Sequence, residues 1–150
     1  MLIGLMEPGE IMVINAGGFL RTAVWGGIMT RAAMQREIGG IVVDGAVRDV
    51  AEIRELGFPV FAAGIVPAGP HKGYGGIIDG TISCAGCPVK SGDIVIGDDD
   101  GVAVVPLERQ ENLLVKSQEK IAQENETNAN TAKGALPGDR LGLGEAEWLE

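Results

Sequence analysis

Between Gly39 and Asp49 the chain runs Gly-Gly-Ile-Val-Val-Asp-Gly-Ala-Val-Arg-Asp. A short apolar strand passes through a glycine turn and delivers Arg48 and Asp49, side by side, beyond its carboxyl end. In open α/β sheets ligands bind in the crevice outside those strand ends. The pair suits such a place chemically. A guanidinium grips a carboxylate through two parallel hydrogen bonds. A carboxylate holds a hard divalent cation such as magnesium, which takes few protein oxygens and keeps most of its waters. A surface ion pair, or a cap for the next helix, is the structural alternative for the same two residues.

The surrounding pattern alternates between strand and helix. Glu10 to Asn15 reads as a buried strand and Asn15-Ala16-Gly17-Gly18 as a turn. A helix is expected from about Ala23 to Ile38, closed by Gly39-Gly40. Ile41 to Asp44 forms the next strand, Val50 to Leu56 a short helix and Pro59 to Ala63 a third strand. This β-α-β-α-β order predicts parallel pairing with helical crossovers. Gly64 to Gly80 is loop-like, and short strands follow at 80–84, 88–89, 93–96 and 102–105. Gly-Asp and Asp-Gly turns between them predict an antiparallel β layer. A polar helix is expected from about Leu107 to Asn125, with too few apolar positions for a deep core stripe. Such a helix lies on the surface or against another subunit. The fold class is therefore α/β, with one domain over about residues 1–127 and an extended tail over 128–150.

Composition narrows the partners. The net charge of −9 comes with no basic stripe, so nucleic acid is not an expected partner. Met1 to Met6 is apolar but stops at Glu7-Pro8-Gly9, far short of a signal-peptide core or a membrane span. No membrane association and a cytoplasmic location are the expectations. Cys84 and Cys87 form a C-x-x-C, yet the single histidine, His71, leaves too few ligands for structural zinc. The two thiols lie between strand-like segments and are read as buried or turn cysteines without chemistry.

Three constellations can carry chemistry. Gly17-Gly18 and Gly26-Gly27-Ile28-Met29 could present backbone N–H groups to an anion at a helix start, although close packing explains glycines equally well. The dinucleotide spacing G-x-G-x-x-G is absent. Arg48-Asp49 is the second constellation. The third is Pro70-His71-Lys72-Gly73, whose Lys72 could approach an anionic ligand or simply be solvated. Asp98-Asp99-Asp100-Gly101 imitates a cation cage but reads as a hairpin turn.

Several separated segments together resemble the RraA-like family. They are Val13–Gly18, Ala32-Ala33, Gly40–Asp49, Leu56–Phe61, Val89–Asp93 and Asp98–Val102, in order over about residues 8–115. The family includes 4-hydroxy-4-methyl-2-oxoglutarate and 4-carboxy-4-hydroxy-2-oxoadipate aldolases and the regulator of ribonuclease E activity. The resemblance implies a swivelling β/β/α domain, assembled as a homotrimer or hexamer with sites between subunits. It also implies a lyase, a metal-dependent aldolase that releases pyruvate from a 4-hydroxy-2-oxo acid, with oxaloacetate decarboxylase activity from the same enolate chemistry. On that reading Asp49 is the protein ligand of Mg²⁺ or Mn²⁺, and Arg48 binds or polarises the substrate. The N–H groups of Gly26, Gly27, Ile28 and Met29 receive a carboxylate, Lys72 adds positive charge, and Glu124 reaches a neighbouring subunit's site.

The chain departs from the family pattern in three places. The aldolases carry an acidic residue, then twenty residues, then Arg-Asp, and that first carboxylate orients a metal-bound water. Here the position is Gly27, which has no side chain, so the implied metal motif is one carboxylate short. Asn15 replaces a common Asp, and the chain begins almost at its first strand, short of the family's usual N-terminal segment. These departures keep open a non-catalytic, protein-binding regulator of the ribonuclease E type.

Overall fold

The computed structural model describes residues 2–70 and 75–142, the side chains of 137 and 140 excepted. Two compact units divide the chain, residues 1–107 and 108–150. The first is built on a parallel sheet ordered β1-β2-β3, with β1 at Ile11–Trp25, β2 at Gly40–Val47 and β3 at Val60–Ile65. Helices α1 (Gly27–Met34) and α2 (Val50–Glu55) make the two crossovers. β2 is central and nearly every residue on it is buried, as a parallel strand covered on both faces requires. Its Ile41, Val43 and Val47 pack with Met12, Trp25, Ala33, Ile38, Ile53 and Phe58 into one core. The aromatic part of that core is a stacked pair, Trp25 on Phe58, with ring centroids 6.4 Å apart.

The first strand departs from expectation. It does not end at Asn15, but continues to Trp25 by way of three register shifts. Asn15 pairs with Asp44, Phe19 with Gly45, Ala23 with Ala46 and Trp25 with Val47. Three residues of β1 are looped out between each of the first two steps. The expected turn at 15–18 is the first loop, closed by the Gly17 N–H donating to Asn15 Oδ1 at 2.8 Å. Gly17 and Gly18 take φ of 64° and 70° there, open to glycine without steric cost.

The helix expected over Ala23–Ile38 is accordingly shorter, Gly27–Met34. Ala23 to Trp25 belong to the sheet because pairing with Ala46 and Val47 buries all four residues. Its end also comes early. Ile38 N–H donates to Ala33 O at 3.1 Å and Glu37 N–H to Met34 O at 3.0 Å. This closure puts Glu37, at φ 56°, in the left-handed position that Gly39 was expected to supply.

The antiparallel part consists of two hairpins, β4 (Ile82–Cys84) with β5 (Cys87–Val89) and β6 (Ile94–Asp98) with β7 (Gly101–Val105). Cys84 and Cys87 face each other across the two-residue turn Ala85-Gly86, both with positive φ. The C-x-x-C is a hairpin turn, and both cysteines are free. Asp98 and Gly101 flank the second turn, where Asp100 N–H donates to Asp98 Oδ1 at 2.9 Å.

The second unit holds helix α3, Gln110–Thr131, preceded by a 3₁₀ turn at Leu107–Arg109. The helix starts later and runs further than the expected 107–125. No described helix is long and apolar enough to cross a membrane.

Candidate active site at the carboxyl end of β2

The site begins where β2 stops. Arg48 N–H donates to Trp25 O at 3.0 Å, the last rung between β1 and β2, and Val66 N–H donates to Val47 O at 3.0 Å on the other side. The backbone must then leave the sheet. Asp49 does so at φ 58° and ψ 35°, a left-handed conformation that is uncommon for a residue with a side chain and concentrates at functional sites.

That turn aims the Asp49 carboxylate at α1. Its Oδ2 accepts from the Gly27 N–H at 3.0 Å and lies 3.5 Å from Arg48 Nε. Asp49 sits at the N-cap of α2 yet makes no side-chain bond to that helix; it caps α1, which precedes it in the chain. Of the structural roles expected for the pair, the ion pair is present, whereas the cap is made to α1 and not to the next helix. A cap at a helix start adds to the favourable dipole there. The Asp49 side chain still has 42% of its surface exposed and Arg48 39%, so neither group is spent on structure alone.

Gly26 makes this approach possible. Its backbone is extended, so any residue could adopt it, but a Cβ there would lie 2.7 Å from Asp49 Oδ2 and 2.9 Å from Arg48 Cγ. On the far side, a Cβ on Gly69 would collide with Arg48 Nη1. The guanidinium thus occupies a slot between two glycines. Behind it a buried network locks the loop. Trp25 Nε1 donates to Thr30 Oγ1 at 2.8 Å, and that hydroxyl donates to Gly26 O at 3.2 Å. Thr30 is fully buried, and both of its polar roles are satisfied.

Gly27 is the position where the sequence leaves a carboxylate missing. The space its side chain would take is filled by Glu52 of α2. A Cβ on Gly27 would lie 2.5 Å from Glu52 Oε2 and 2.7 Å from Glu52 Cδ. Glu52 Oε1 in turn accepts from Arg31 Nε at 2.9 Å, tying α2 to α1. Nothing in the linear spacing marked Glu52, because it reaches the site from the helix after the Arg-Asp pair.

The remaining expected residues are less concentrated. Ile28 and Met29 form the first turn of α1, where N–H groups have no partner within the helix. Their side chains are exposed, Ile28 at 82%. Lys72, with His71, lies outside the described residues. Glu124 belongs to α3 in the second unit, where it pairs with Lys120 at 3.6 Å. Asp44 Oδ2 accepts from Ala85 N–H at 3.1 Å, in the turn of the first hairpin. Burial, outweighing a hydrogen bond that involves Asp44, pushes the Cys84 thiol above its ordinary value.

As a metal position, the donor set has one character only. Among the described residues no three His, Cys, Asp or Glu side chains cluster as a closed cage would need. A half-exposed Asp49 fits a hard ion that keeps several waters, as magnesium does, and does not fit structural zinc.

An open α/β sheet with an Arg-Asp pair beyond its central strand, set against a glycine helix start, defines the class. The chain belongs to the RraA-like family: the model described as Aldolase/RraA matches residues 1–104. It is 40% identical over 118 residues to a Halalkalibacterium halodurans protein provisionally named 4-hydroxy-4-methyl-2-oxoglutarate aldolase, covering 79% of this chain and 56% of that one. It is 35% identical over 98 residues to the 4-hydroxy-4-methyl-2-oxoglutarate aldolase of Thermus thermophilus, covering 65% and 60%. Streptomyces coelicolor RraAS2, described as an unusual member of the RNase ES inhibitor RraA protein family, superposes with a TM-score of 0.79 at 28% identity, covering 85% of this chain and 66% of that one. The chain thus spans a little over half to about three fifths of those two curated relatives' lengths.

Proposed function

We propose that the protein is a divalent-metal-dependent lyase that cleaves 4-hydroxy-4-methyl-2-oxoglutarate, or a related 4-hydroxy-2-oxo acid, to pyruvate. The observation that carries this reading is the Asp49 carboxylate, held in a strained turn between the Gly27 N–H and Arg48 while still open to solvent. The aldolase names of its relatives support it.

Asp49 would hold Mg²⁺ or Mn²⁺, and a metal bound there supplies Lewis-acid charge at the 2-oxo acid end of the substrate. Arg48 spends Nε on Asp49 and keeps its remaining donors for a substrate carboxylate. The first-turn N–H groups of α1 receive the same or the second carboxylate, where the helix dipole favours negative charge. In the cleavage the 4-hydroxyl gives up its proton, the C3–C4 bond breaks and C4 becomes a carbonyl. The electron pair passes into the enolate of pyruvate, which then takes a proton at C3. Oxaloacetate loses carbon dioxide through the same enolate, so decarboxylation belongs to the proposal. Lys72 adds positive charge, and Glu124 reaches the site of a neighbouring copy in a homotrimer or hexamer. A cytoplasmic location, with neither nucleic acid nor membrane as partner, completes the reading.

A protein-binding regulator is the second reading. Gly27 favours it, together with the likeness to an RNase ES inhibitor family member.

The test is pyruvate release from 4-hydroxy-4-methyl-2-oxoglutarate and from oxaloacetate, with and without Mg²⁺. Magnesium-dependent release that a chelator stops is the expected result. Release from neither substrate overturns the enzyme and moves the question to protein partners.

A further inference from the structure

Position 27 lacks a carboxylate in the sequence, but its side-chain space does not lack one. Glu52 lies three residues after Asp49, within one turn at the start of α2, so both carboxylates leave the same end of that helix. Asp49 meets the backbone of Gly27, and Glu52 meets the point where its Cβ would stand. Arg31, four residues after Gly27 on α1, anchors Glu52 through one oxygen at 2.9 Å. Glu52 Oε2 lies nearer that Cβ point, at 2.5 Å, than Oε1 does, at 2.8 Å. A side chain at 27 and the present position of Glu52 exclude each other.

We infer that Glu52 is the positioning carboxylate of this site, entering from α2 in place of the acid the family motif carries on α1. This rests on the lyase reading above. Glu52 holds the water through which the 4-hydroxyl proton leaves as C3–C4 breaks, and returns that proton to C3 of the enolate. A mere strap between α1 and α2 would need the ion pair with Arg31, but no carboxylate in the space of residue 27.

Four proteins decide it: wild type, Glu52→Gln, Gly27→Asp, and Glu52→Ala with Gly27→Asp. The amide in Glu52→Gln keeps an acceptor for Arg31, so thermal melting is expected to stay put. Its kcat is expected to fall about a hundredfold or more, the lower range for loss of positioned proton transfer, with KM little changed. Glu52→Ala with Gly27→Asp clears that space and returns a carboxylate to it from α1, and at least tenfold of the kcat lost in Glu52→Gln is expected back. Gly27→Asp alone brings two carboxylates into one space and gains nothing. Full kcat in Glu52→Gln, or no recovery in the double variant, overturns the inference.

Mn²⁺ binding followed by water-proton relaxation supplies a readout independent of turnover. Glu52→Gln is expected to bind Mn²⁺ about tenfold more weakly, as loss of an outer carboxylate partner does, and the double variant to recover. A wild type that releases no pyruvate overturns the lyase reading. The Mn²⁺ series then decides Glu52 by itself, and equal affinities in all four proteins overturn its role.

Discussion

The Gly27 N–H donates to Asp49 Oδ2 at 3.0 Å, and this one bond joins the start of α1 to the end of β2. It makes Asp49 both a structural cap and the exposed carboxylate of the candidate site, and the two roles separate by mutation.

Asp49→Asn keeps an oxygen acceptor for Gly27 and a residue type that tolerates φ near 58°. Its thermal stability is expected to match the wild type while metal-dependent turnover falls to background. Asp49→Ala loses the cap as well, costing about 1 kcal/mol more by urea denaturation. Turnover retained in Asp49→Asn would remove Asp49 from the metal position.

Arg48 lies between Gly26 and Gly69, so it is sensitive from two directions. Arg48→Lys replaces a two-pronged fork by a point charge, and kcat/KM is expected to drop about 10- to 100-fold, the loss of roughly one charged hydrogen bond. Gly69→Ala should displace the same guanidinium and raise KM without touching Asp49. Steady-state kinetics on both variants checks the pair, and a normal KM in Gly69→Ala would mean the slot is not needed for substrate.

Thr30 is the buried hinge of the glycine loop. Thr30→Val preserves shape but leaves the Trp25 indole N–H without its partner, at an expected cost of about 1–3 kcal/mol in stability. Trp25→Phe removes donor and acceptor demand together while keeping a ring against Phe58, but it leaves a cavity in the core. Urea melts of both variants, with Arg48-dependent turnover as a second readout, test whether the network holds the site or only the fold.

The buried Cys84 thiol has its pKa raised on folding, mainly by loss of solvation. Its stabilising contribution is complete below the pKa of the unfolded thiol, and it is lost as pH rises through the folded value. Stability should therefore fall on the alkaline side of the ordinary thiol range, and Cys84→Ala should flatten that fall. Iodoacetamide at neutral pH is expected to label exposed Cys87 well before Cys84. Equal labelling rates would contradict the burial of Cys84.

Much of this architecture is local in origin and was readable without coordinates. The apolar run Ile41–Val43, between Gly40 and Asp44-Gly45, reads as a strand from its own residues, and Asp98-Asp99-Asp100-Gly101 as a hairpin turn by its own chemistry. The position of Arg48-Asp49 beyond a strand end followed directly. The start of α1 did not. Ala23 to Trp25 carry no helix breaker, and only pairing with Ala46 and Val47, twenty-two or more residues away, holds them in the sheet. Long-range burial outweighs weak local propensity there.

The same division runs through the site. The linear chain dictated which strands form, where they stop and which charged pair stands at the end of the central one, because apolar runs and glycine turns act over a few residues. Folding in three dimensions dictated that Asp49 caps α1, a helix that ends well before it in the chain, and that Glu52 fills the space left by Gly27. Those relationships join segments more than twenty residues apart, and no spacing rule reads a contact whose geometry exists only once α1 and α2 pack together.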